Sequence, residues 1–162
     1  MPETKLLISV IGASQASPEE TALAEEVGRR LAERGAAIVC GGLTGVMEAA
    51  CRGAASASGL TIGILPGEDA SEANPFVKVP IVTGLGYARN AIVARTGRAV
   101  IAIGGSYGTL SEIAFACQTG IPVVGLKTWS FSRDGVPDEA VVRVNSPADA
   151  VDAALSLAQA GA

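Results

Sequence analysis

The chain has 162 residues, the size of a single domain over 1–162. Its net charge of −4 and only three lysines (Lys5, Lys78, Lys127) leave no basic stripe for a nucleic-acid backbone. It contains no histidine, and Cys40, Cys51 and Cys117 lack CxxC spacing, which excludes zinc fingers, Ser-His-Asp triads and most transition-metal sites and suits a reduced, cytoplasmic setting. No apolar run approaches the roughly 20 residues of a membrane span.

Residues 5–12 are continuously apolar and predict a buried first strand. Ser17-Pro18-Glu19-Glu20 then supplies an N-cap, a proline at the first helical position and a glutamate at the capping-box position. The helix this opens should run to about Arg34, with Gly35 ending it. Residues 36–40 predict a second buried strand, after which Gly41-Gly42-Leu43-Thr44-Gly45 leads into a small-residue helix reaching about Ser58. Residues 60–65 read as strand three. Residues 66–75 are polar and turn-rich, a solvated connection suited to closing over a ligand as a lid. A strand over 77–82, a helix over 84–96 and a strand over 98–103 follow. A helix from Thr109 to about Thr119, strands over 122–126 and 141–144, and a C-terminal helix opened by Ser146-Pro147 complete the chain.

Unbroken apolar strands alternating with helices imply a mostly parallel sheet covered on both faces, a doubly wound Rossmann-like α/β domain. Ligands of such domains sit at the carboxyl ends of the strands. Three glycine turns fall on that rim: Gly12-Ala13-Ser14, Gly41 to Gly45, and Gly104-Gly105-Ser106-Tyr107-Gly108-Thr109. Glycines admit close backbone approach, and the first amides of a helix lack partners within it, so the rim predicts a site for the phosphate of a small molecule. No GxGxxG motif with a following ribose-binding acid occurs, and no Gly-Lys-Ser/Thr, which argues against NAD-type and Walker sites.

Arg89, a fixed cation with a planar fork, is the side chain best suited to phosphate oxygens. Glu112 follows Thr109 at capping-box spacing. Its carboxyl either bonds the Thr109 amide or stands at the cradle mouth to hold a sugar hydroxyl or polarise a water. Met47 reads as core more than contact, Glu48 as either a dipole-matched first-turn acid or a polar contact, and Cys40 as a small buried residue. The full candidate set is Gly12, Ser14, Gly41, Gly42, Thr44, Gly45, Met47, Arg89, Asn90, Gly104, Gly105, Ser106, Tyr107, Gly108, Thr109 and Glu112.

Three of these motifs, taken in order, resemble the Rossmann-like superfamily of LONELY GUY (LOG) proteins and molybdenum cofactor carrier proteins. In LOG enzymes a GGGxxGLMG run, an Arg-Lys pair and PGGxGTxxE recur in this order. Here Gly41 to Glu48, Arg89-Asn90 and Gly104 to Glu112 occupy the matching places. The resemblance implies that Arg89 and Glu112 match the arginine and glutamate of phosphoribohydrolases, which split a nucleoside monophosphate into base and ribose 5-phosphate. Asn90 in place of lysine, Gly104 in place of proline, Ser106 in place of glycine and Glu48 in place of glycine look more like the carrier branch. The implied ligand is a nucleotide or a molybdopterin-type phosphate, with no required cofactor and no metal. The implied assembly is a homo-oligomer, with residues 46–57 and 113–117 as segments suited to a two-fold axis. The lysine decarboxylase label once attached to such proteins finds no pyridoxal-bearing lysine on any glycine loop.

Overall fold

A computed structural model describes residues 3–161. The first strand, β1 (Leu7–Gly12), lies at the centre of a seven-stranded parallel sheet. On one side it is followed by β2 (Ala37–Cys40), β3 (Thr61–Leu65) and β4 (Val79–Val82). On the other side lie β5 (Val100–Ile103), β6 (Val123–Leu126) and β9 (Val141–Val144). The doubly wound Rossmann-like α/β architecture is therefore the observed one. Pro80 sits in the edge strand β4, where a missing ladder donor is tolerated. No helix among the described residues is long and apolar enough to cross a membrane.

One sheet face carries α1 (Pro18–Glu33), α2 (Val46–Ser56) and α5 (Pro147–Ala160). The other carries α3 (Arg89–Thr96) and α4 (Tyr107–Gln118). The capping box predicted for α1 is present: Glu20 N–H donates to Ser17 Oγ at 3.1 Å and Ser17 N–H to Glu20 Oε2 at 2.8 Å. Two other predicted boundaries change. The helix expected over 84–96 begins only at Arg89, after a 3-10 turn at Gly86–Ala88, because Gly84 and Gly86 take positive φ (63° and 57°) and break a right-handed helix. α4 begins at Tyr107 with Ser106 as its N-cap, so Thr109 lies within the first turn and the Thr109–Glu112 pair is no capping box.

Between β6 and β9, where no element is expected from the sequence, β7 (Phe131–Arg133) and β8 (Val136–Asp138) form an antiparallel hairpin. These strands are three residues long and mostly exposed, so they leave little apolar pattern. The Asp134-Gly135 turn, with φ of 50° and 77°, was the available signal.

Helices α1 and α2 cross at two glycines. A Cβ on Gly28 would fall 2.0 Å from the Ala50 carbonyl oxygen, and one on Gly53 would fall 1.9 Å from that of Glu25. Both obstacles are backbone and cannot rotate away. Gly53→Ala is therefore expected to destabilise the fold by about 1–3 kcal/mol in urea unfolding, although helix propensity alone favours alanine by up to about 1 kcal/mol. A stabilised variant would overturn the crossing. The same packing leaves most of α2 buried within the chain, which corrects the expectation that residues 46–57 are free to pack across a two-fold axis. In the second such segment Ile113 and Ala116 are buried, while Ala114, Phe115 and Cys117 are exposed.

Candidate functional site

The chain leaves β1 toward β2 and leaves β5 toward β6, so a crevice opens at the carboxyl ends of the adjacent strands β1 and β5. The helix starts at this rim are not equivalent. The α1 start is closed by its capping box and by Glu19 and Glu20. The α2, α3 and α4 starts, at Gly45, Ala88 and Ser106, carry no side-chain cap. An anion in the cleft therefore meets helix starts uncapped by side chains, of which α3 and α4 place their first residues on the cleft wall, while the first α2 amide, Val46 N–H, donates to the Ala13 carbonyl at 3.0 Å.

Between these ends lies a cleft of about 130 Å³. Gly12, Ser14, Met47, Arg89 and Asn90 line it from one side, and Ser106, Gly108, Thr109 and Glu112 from α4. Ala13, Leu43, Pro66 and Tyr87 complete the wall and were not foreseen as site residues. The remaining candidates stand elsewhere. Gly41 lies behind Arg89: a Cβ there would come within 2.8 Å of Nη2, so the glycine makes the room the guanidinium occupies. Gly42, Thr44 and Gly45 hold the loop rather than line the cleft, Thr44 Oγ1 donating to the Ser14 carbonyl at 2.9 Å. Gly104 and Gly105 face an adjoining cleft with Lys127, Thr128 and Trp129. Their missing Cβ positions point at Glu20 and Thr109, so these glycines make space for the protein's own side chains. Tyr107 projects into solvent between two lining residues. Glu48 stands in the first turn of α2 and does not line the cleft.

Arg89 is 7% exposed. Its Nη1 donates to Asn90 Oδ1 and its Nη2 to the Gly41 carbonyl at 3.4 Å, while Nε has no partner. Thr109 Oγ1 is likewise buried without a partner. Glu112 is 7% exposed, and burial pushes its carboxyl up to about 8 against the opposing pull of Arg89. Burial also moves the Arg89 guanidinium down from its ordinary value, despite the nearby Glu112. In both groups, loss of water outweighs mutual attraction. Such a set is poorly satisfied within the chain and is suited to meeting an outside partner.

Side-chain hydrogen bonds brace the frame around this set. Asn90 Nδ2 donates to Ser111 Oγ at 3.3 Å, and Ser111 Oγ to the Gly108 carbonyl at 2.6 Å, linking α3 to the first turn of α4. Asn74 was missed from sequence: its Nδ2 donates to the carbonyls of Gly42 (3.3 Å) and Leu43 (2.8 Å), and its Oδ1 accepts from Phe76 N–H. This buried side chain ties the end of the 66–75 connection to the second glycine loop, so that end is an anchor and not part of a free lid. No local pattern marks an asparagine for this task. Cys40 is fully buried, and the Cys51 thiol 3.5 Å away, together with burial, holds its thiol well above the ordinary range, which leaves it inert as a nucleophile.

Known proteins with this arrangement bear on its use. The model of the SLOG cluster4 family matches residues 5–151. The molybdenum cofactor binding protein of the phototrophic bacterium Rippkaea orientalis superposes with a TM-score of 0.86 at 35% identity, covering 95% of this chain and 98% of that one. The molybdenum cofactor carrier protein of Chlamydomonas reinhardtii superposes with a TM-score of 0.82 at 35% identity, covering 94% and 98%. An uncharacterized protein of Archaeoglobus fulgidus is 44% identical over 120 residues, 74% of this chain and 79% of that protein.

Proposed function

The chain belongs to the SLOG cluster4 family and shares the Rossmann-like fold of LOG and molybdenum cofactor carrier proteins; from that premise we propose that it binds a phosphorylated, nucleotide-like small molecule as a carrier. The ligand class is a nucleoside monophosphate or a pterin phosphate of the molybdenum cofactor type. One observation carries this reading: Arg89 Nε and Thr109 Oγ1 are buried without partners in the same cleft that receives the starts of α3 and α4, neither capped by a side chain. A phosphoryl group supplies acceptors for all of them at once. The similarity to two molybdenum cofactor proteins supports a carrier over an unrelated binder. Three free cysteines are consistent with work in a reducing compartment such as the cytoplasm.

A second reading is hydrolysis of a nucleoside monophosphate to free base and ribose 5-phosphate, favoured by the presence of Arg89 and Glu112 on one cleft. In that reaction Arg89 holds the phosphate and Glu112 meets the sugar. A carboxyl raised to about 8 is mostly protonated at neutral pH, a poor base for water but a competent hydrogen-bond donor to a ligand oxygen. The balance falls to binding. Incubating the protein with a panel of nucleoside monophosphates at pH 7 and measuring free base, alongside calorimetric binding, separates the readings. Binding without base release is expected. Turnover that rises as pH passes 8 and disappears in Glu112→Gln would establish the hydrolase instead.

A further inference from the structure

The cleft against Arg89, at about 130 Å³, is well below the roughly 300 Å³ at which pockets begin to enclose whole small molecules. It takes a phosphate and the start of what bears it, so the rest of the ligand lies over the mouth. The residues at that mouth are unusual for this chain. Only six aromatic side chains occur in 162 residues, two Tyr, one Trp and three Phe. One tyrosine lines the cleft, the other adjoins its α4 end, and the single tryptophan packs against the second from the adjoining cleft.

Tyr87 lines the cleft wall and is 90% exposed; Tyr107, 80% exposed, projects between the lining residues Ser106 and Gly108. Tyr107 is backed by Trp129, with ring centroids 5.6 Å apart and planes tilted by 37°. Trp129 is itself fixed, its Nε1 donating to the Ser106 carbonyl at 3.1 Å and its carbonyl accepting from Arg143 Nη2. The pair therefore rests on the same turn that opens the α4 end of the cleft. A rigid, solvent-facing aromatic surface beside a phosphate-sized cleft has its natural complement in a flat ring.

We propose that Tyr107, braced by Trp129, and Tyr87 form a stacking platform for a planar heteroaromatic ring, a nucleobase or a pterin, on the ligand whose phosphate lies against Arg89. The inference rests on the phosphate reading and adds the residues that read the remainder of the molecule. Stacking on one aromatic side chain contributes on the order of 1–3 kcal/mol per ring, which corresponds to roughly five- to 150-fold in affinity. The phosphate supplies anchoring common to every ligand of the class; the platform selects flat rings among them.

Trp129 is the only tryptophan, so its fluorescence reports on the platform directly. The wild-type chain is titrated with inorganic phosphate, ribose 5-phosphate, AMP, GMP and a pterin monophosphate, with calorimetry in parallel. At least one ring-bearing probe is expected to bind about tenfold more tightly than ribose 5-phosphate and to change the Trp129 emission. Tyr107→Ala should remove most of that advantage and leave ribose 5-phosphate affinity unchanged, while Tyr107→Phe retains it; Tyr87→Ala, at a residue that lines the cleft, should lower the affinity of ring-bearing probes several-fold more than that of ribose 5-phosphate. Both tyrosines are exposed, and circular dichroism checks that the variants stay folded. Equal affinity of wild type for ring-bearing and ring-free phosphates overturns the platform, as does an unchanged ratio in both alanine variants; the phosphate reading survives either result. Failure of all five probes to bind overturns the phosphate reading, and the platform with it.

Discussion

Arg89→Met is expected to weaken binding of the phosphate ligand by about 100-fold or more, with the fold retained and no less resistant to urea. Charge-assisted bonds to a phosphoryl group contribute roughly 1.5–3 kcal/mol each, and a guanidinium can make two. Within the chain that guanidinium is poorly served: it is 7% exposed, Nε has no partner, and burial lowers its pKa. An apolar side chain of similar length removes the desolvation penalty that the arginine carries. Calorimetry with the tightest of the phosphate probes and urea unfolding measure the two halves separately. Arg89→Lys keeps the charge but loses the planar fork, and a loss of about tenfold is expected. Undiminished affinity in Arg89→Met would remove the arginine from the site and the phosphate reading with it. A large loss of stability would mean that its role is structural.

The second large effect concerns pH. Burial raises the Glu112 carboxyl from its ordinary 4.5 to about 8 in the folded chain. A group raised in this way favours the folded state fully below pH 4.5, where it is protonated whether folded or not. Between pH 4.5 and 8 the unfolded chain releases the proton and the folded chain keeps it, so stability falls by about 1.4 kcal/mol per pH unit and levels off above 8. The accumulated loss is about 5 kcal/mol. Glu112→Gln is neutral at every pH and lacks this loss. Subtracting the wild-type unfolding free energy from that of the variant, from pH 4.5 to 9, isolates the carboxyl from every other titrating group. The difference should climb across the window and then hold steady. A flat difference would place Glu112 in water and not in the buried cleft. The same physics explains why such a residue persists in a site: a buried acid that costs stability in the free chain is available to bond a ligand.

How far the site was legible follows from what each residue depends on. The Ser17 to Glu20 capping box is a contact between residues three apart, so its pattern carried through to the structure unchanged. The glycine turns were found because strand exits into helices recur locally. Arg89 and Glu112 were found through motif order and spacing. What failed was also local in appearance. Thr109 and Glu112 have capping-box spacing, yet the N-cap of α4 lies three residues earlier, at Ser106, because the chain leaves β5 through Gly104 and Gly105 with φ of 53° and 115°. Gly104 and Gly105 looked like ligand-facing backbone; Glu20 and Thr109 fill the directions they open.

The amino-acid sequence alone determined the alternation of strands and helices, the capped start of α1, and the presence of glycine-rich helix starts on one sheet rim, because each depends on side-chain type within a few positions. Only the tertiary structure decided which starts remain open to an anion, which glycines admit Arg89 or close the α1–α2 crossing, and that Asn74 ties two loops together. It also set Tyr107 against Trp129 beside the cleft that Tyr87 lines. These outcomes depend on atoms from segments tens of residues apart meeting within a few ångströms, a distance that the strand order sets and no local pattern encodes.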